Sequence, residues 1–146
     1  MSALKKQTLL GTLILIGLLA FPLGSSRGQP GTTVDCTKPK NQLITIGSNG
    51  QIADGCDPAR VSKKNGHRIV WESANGDTIN IVFPPKAGYP PPFRDLSCSG
   101  DLCRSGRINP GLNIPPGSVV YFPYTVTVTP KEGKPKTSDP GAEIEP

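Results

Sequence analysis

The amino-acid sequence predicts an all-β domain of the sandwich type, from three observations. Residues 68–72, 78–83 and 118–129 alternate apolar and polar side chains with the period of two that places successive residues on opposite faces of a sheet. Seventeen prolines and seventeen glycines argue against long helices, and beyond the first residues no segment repeats apolar side chains at i, i+3, i+4 and i+7 over two turns. Four cysteines in a small chain with an export-type leader imply covalent staples.

Residues 1–28 read as a secretory signal: Lys5 and Lys6, then an apolar run over 9–23, then the small-residue stretch Gly24-Ser25-Ser26-Arg27-Gly28. The run is fifteen residues long, shorter than the roughly twenty a bilayer-spanning helix needs, and Pro22 interrupts its end. Cleavage after Ser26 or Gly28 fits the small residues there, and Gly28 is preferred because Gln29 then begins a polar linker, residues 29–40. A retained membrane anchor is the alternative; with cleavage the mature chain has no stable membrane insertion and is secreted or periplasmic. Three of the sixteen basic residues lie in the leader and no acid precedes Asp35, so the mature balance is thirteen basic against eleven acidic. These charges are interspersed along the sequence without interleaved aromatics, which argues against nucleic acid as a partner.

The domain itself is expected over residues 41–146. A short apolar strand, residues 42–46, precedes the turn Ser48-Asn49-Gly50, and residues 59–63 alternate weakly before the turn Lys64-Asn65-Gly66. In 68–72, Ile69 and Trp71 share a face opposite Arg68 and Glu72. In 78–83, Ile79, Ile81 and Phe83 share a face opposite Thr78 and Asn80, and Ala74-Asn75-Gly76-Asp77 between the two runs predicts a hairpin turn. Residues 84–117, rich in proline and glycine, predict a long irregular loop of the kind that carries binding function. Inside it Tyr89-Pro90-Pro91-Pro92-Phe93 predicts a polyproline II segment, either a recognition ligand or, as preferred, a strap laying Tyr89 and Phe93 on the sandwich edge. The strongest strand is 118–129, with Val120, Phe122, Tyr124, Val126 and Val128 on one face and a bend, bulge or edge position required at Pro123. A polar loop, 130–140, leads to a last short strand, 142–145.

Cys36, Cys56, Cys98 and Cys103 allow three pairings. The two local ones, Cys36 with Cys56 and Cys98 with Cys103, are favoured because each staples a segment rich in Gly, Asp and Asn with little apolar content. The spacing does not match the paired Cys-x-x-Cys of a structural zinc site, and four residues rather than two separate Cys98 from Cys103, unlike a redox pair.

From Asp57 onward the order of elements resembles a cupredoxin. The matching pieces are Asn65-Gly66-His67-Arg68-Ile69-Val70-Trp71, then residues 77–83, then 117–124 running into a loop and a terminal strand. The resemblance covers about ninety residues and implies a Greek-key β-sandwich. In copper-binding members a histidine follows the equivalent of the 79–83 strand, and a cysteine, a second histidine and usually a methionine occupy the loop before the last strand. Here those places read Phe83-Pro84-Pro85 and 129–140, without a ligand; the sole methionine is Met1 and the sole histidine, His67, begins the Trp71 strand. The resemblance therefore implies a cupredoxin-like domain lacking type 1 copper, with no metal or cofactor.

His67 has only Lys64 and Asn65 nearby in sequence and no acid to orient it as a general base. Asp54 and Asp57 are a carboxylate pair of the kind that can do acid–base work, but carboxylates in turns ordinarily cap their own backbone. The expected function is an exported, non-catalytic binding or structural module contacting a protein or cell-envelope partner. The alternative is an atypical metal-binding or electron-transfer cupredoxin.

Overall fold

A computed structural model describes residues 35–53 and 55–146. The expected signal, residues 1–28, lies outside the described residues, as does the start of the expected linker. Among the described residues the strands are β1 (Gln42–Ile46), β2 (Ala59–Ser62), β3 (Ile69–Ser73), β4 (Thr78–Val82), β5 (Ser97–Ser99), β6 (Leu102–Arg104), β7 (Val120–Pro123), β8 (Thr125–Thr129), β9 (Lys136–Ser138) and β10 (Gly141–Glu145). The described residues are all-β. The strands lie in three open sheets, ordered β1-β3-β6-β5, β2-β10-β7 and β4-β8-β9.

Two of the pairings are parallel, β1 with β3 and β2 with β10, and the others are antiparallel. Parallel partners cannot be joined by tight turns. The chain must therefore leave the first sheet after β1, lay down β2 elsewhere, and return as β3.

The expected strand 118–129 is broken at the residue that the missing amide predicts. Pro123 ends β7, and Tyr124 N–H donates to Pro140 O at 2.9 Å before β8 resumes. The partner spacing is the same on both sides of the break, with Phe122 opposite Ala142 and Val126 opposite Ser138. β7–β8 and β9–β10 thus form one interrupted hairpin that carries β2 on one flank and β4 on the other. Val120, Phe122, Tyr124, Val126 and Val128 stay buried throughout, because the break preserves the alternation. The sequence reading missed β9: residues 136–138 are polar and exposed enough to read as loop, and only backbone pairing to β8 makes them a strand.

Two further expectations are corrected. Residues 74–77 do not form a hairpin turn, because β3 already has β1 and β6 on its two edges. Ser73 Oγ accepts from Asp77 N–H at 3.0 Å, and the chain passes into a different sheet as β4. The supposed irregular loop 84–117 contains the β5–β6 hairpin, extended at its base by a Phe93–Ile108 bridge and by an Arg94 N–H to Arg107 O bond of 3.0 Å. Gly106, at φ +67°, lets the two arms close, since a Cβ there would stand 2.8 Å from the Asp95 carbonyl oxygen. The described part of the linker is tied down: Cys36 is bonded to Cys56, Lys40 N–H donates to Arg60 O, and the Arg60 guanidinium donates to Thr37 O.

The core is continuous across the sheets. Ile44, Ile46, Ile69, Trp71 and Cys103 from the first meet Val61, Ile79, Ile81, Phe122, Tyr124, Val126, Val128 and Ile144 from the others. Trp71 is fully buried, with Tyr124 at 5.5 Å and Phe83 at 6.2 Å between ring centroids, and its Nε1–H donates to Tyr124 Oη at 3.1 Å. The ring packing provides apolar burial while the hydroxyl satisfies the indole N–H in a dry interior.

Candidate functional site

Most side chains that the sequence offers for chemistry have structural work in the fold. His67 follows the β2–β3 turn; its Nδ1 accepts from Ser62 N–H at 3.2 Å and its own N–H donates to Ser62 O at 3.1 Å, so the ring closes the turn. The Asp57 carboxylate accepts from Gly141 N–H at 2.8 Å and ties the segment before β2 to the start of β10. Asp54 lies outside the described residues. The cysteines are joined as Cys36–Cys56 and Cys98–Cys103; Cys56 and Cys103 are buried, Cys98 is exposed. Cys98 and Cys103 face each other across the β5–β6 ladder.

Where the resemblance places a copper histidine after β4, the partly buried Phe83 wedges among Trp71, Phe93 and Tyr124, with centroids 6.2, 5.4 and 5.0 Å away. The loop that would carry the remaining ligands is shortened by β9. Among the described residues no three His, Cys, Asp or Glu side chains are grouped as a metal would require. Also among them, no helix is long and apolar enough to cross a membrane. Two disulfides fit an oxidising compartment.

The proline run 89–93 acts as a strap. Tyr89 packs edge-on against Phe122 at 5.9 Å, and Phe93 is buried. Beside it Val82, Phe83, Pro91 and Leu96 line an open apolar depression of about 290 Å³ with Arg94 at its border. A second groove of about 290 Å³ lies between the β2–β3 turn and the base of the β5–β6 hairpin, lined by Lys63, Gly66, Arg68, Arg107, Ile108 and Pro110. Sequence reading missed this groove because its cations are separated by up to forty-four positions. The β3–β6 ladder, continued by the Ser105 N–H to Ile69 O bond of 2.9 Å, brings the Arg107 end of the hairpin beside Arg68 and the turn before it.

At the amino-terminal end, Thr37 Oγ1 and the Thr37 backbone N–H both donate to Asp35, holding its carboxyl below the ordinary carboxylate range. Arg60 pairs with Glu143 at 2.8 Å across the β2–β10 edge.

Over 72 residues the chain is 33% identical to cytochrome f of Chlorella vulgaris, covering 48% of this chain. It spans 22% of that relative's length. No family model matches the chain, and no solved structure matches it.

Proposed function

We propose that this chain is an exported, non-catalytic binding or structural module: a Greek-key, cupredoxin-like β-sandwich without type 1 copper that contacts a protein or cell-envelope partner. The observation that carries the reading is the commitment of its reactive side chains to the scaffold. His67 closes a turn, Asp57 anchors β10, and the four cysteines form two staples. The sandwich reading is supported by the uninterrupted core between the β1-β3-β6-β5 sheet and the β7–β10 hairpin with its flanking β2 and β4. The surfaces left for a partner are the loops around the proline strap and the turns between the sheets. Copper(II) or copper(I) added under air to the purified protein should give no intense absorption near about 600 nm, since that band needs a thiolate ligand on copper(II). A stoichiometric blue species would overturn the reading.

A second reading, an atypical metal-binding or electron-transfer cupredoxin, is favoured by the similarity to a protein named as a cytochrome. Metal analysis of the protein as purified, with its absorption spectrum, separates the two. A stoichiometric metal or a visible band selects the second.

A further inference from the structure

The groove between the β2–β3 turn and the base of the β5–β6 hairpin gathers three cations, Lys63, Arg68 and Arg107, and no carboxylate lines it. Arg68 and Arg107 have no acidic partner among the described residues. Like charges held around one concave site repel each other, and a cleft walled by one sign of charge concentrates the opposite ion. Lys63 is prepositioned: its ammonium donates to Pro110 O at 2.9 Å and to Leu112 O at 2.6 Å. Those bonds use two of its three protons, leaving one donor, and they fix the far wall of the groove to the turn. Gly66, at φ +64°, sets that turn.

The wall is not polar throughout. Ile108 and Pro110 add an apolar side that a bare inorganic anion leaves unused. A sugar acid uses both parts. Its ring presents a C–H face to Ile108 and Pro110, and its planar carboxylate matches the guanidinium fork of Arg68 or Arg107. The groove's volume, about 290 Å³, suits one ring with its substituents rather than a folded protein element.

We propose that this groove binds a carboxylate-bearing sugar of an anionic polysaccharide. The inference rests on the binding-module reading and gives that module a partner class. The test is calorimetric titration, at low salt, of the full chain expressed with its leader and purified from the export compartment. The probes are a galacturonate oligomer, its methyl ester and inorganic phosphate. The oligomer should bind, with the neutral ester at least about tenfold weaker, because a charge-assisted bidentate pair is lost. Arg68→Gln and Arg107→Gln should each weaken binding about tenfold, Arg68→Lys less so because it keeps the charge but not the fork, and Lys131→Gln should bind like the parent. Thermal unfolding of each variant separates lost binding from lost fold, and Arg68→Lys decides the matter if a glutamine variant does not fold. Failure of the oligomer to bind, equal affinity for the ester, or parental affinity in both arginine-to-glutamine variants would overturn the proposal. Phosphate binding as tightly as the oligomer would overturn the sugar assignment. Each of these outcomes is distinguishable from failure of the binding-module reading, which the copper titration and the metal analysis test.

Discussion

The region around Trp71 and the two cysteine-stapled segments are held by opposite means. At Trp71 the stabilisation resides in the folded state: a fully buried indole, two neighbouring rings and a hydroxyl partner. In the segments closed by Cys36–Cys56 and Cys98–Cys103 it resides largely in the unfolded state, whose freedom the bonds restrict. The staples also differ from each other. Cys98–Cys103 reinforces a hydrogen-bonded ladder, whereas Cys36 is in no strand and reaches a buried residue before β2. Small β domains with modest cores combine both means, since apolar burial alone barely offsets the entropy of ordering the chain.

The largest expected effect comes from Trp71→Ala, which should cost about 3–5 kcal/mol in denaturant unfolding by removing the central side chain of the core. Such a loss is a large part of a total stability of about 5–15 kcal/mol. A loss below about 1 kcal/mol would show that the region is not held by ring packing. Replacing Cys36 and Cys56 together by alanine should cost about 3 kcal/mol, from the closure entropy of a loop that spans twenty positions. The denaturant slope sharpens the comparison. It should steepen in the cysteine variant, whose unfolded chain expands, and stay near the parental value for Trp71→Ala.

The Cys98, Cys103 double alanine variant should lose about 2 kcal/mol, less because its loop spans five positions. Amide exchange should still show protection in β6 on the β3 side, where the ladder persists. Exchange as fast as in an unfolded chain would mean that the staple, not the ladder, makes the hairpin. The smallest effect is expected for Tyr124→Phe, about 1 kcal/mol, because Trp71 Nε1–H loses its acceptor while the ring packing stays. A loss of about 4 kcal/mol would show that hydrogen bonding rather than burial holds the core.

How much could be read in advance follows the source of each signal. Ile69 with Trp71 and Ile79 with Ile81 announce strands because one face of each is buried, and burial writes a period of two into the sequence. β5, β6 and β9 leave almost no such mark. Ser97-Cys98-Ser99 and Lys136-Thr137-Ser138 are mostly exposed, and they are strands only because another strand lies beside them. The turn at 74–77 misleads for a related reason: turn residues report that the chain reverses, not which strand it will join.

The amino-acid sequence by itself determined the all-β class, the inward faces of β3, β4, β7 and β8, and the break at Pro123. Each depends on the side chain or missing amide of the residues concerned. Only the tertiary structure decided the parallel placement of β1 beside β3 and of β2 beside β10, the single hairpin formed by β7–β8 with β9–β10, and the meeting of Lys63, Arg68 and Arg107 in one groove. Those arrangements depend on which distant segments share a core and a backbone ladder, and such pairings are selected by the energy of the whole chain rather than by any local pattern.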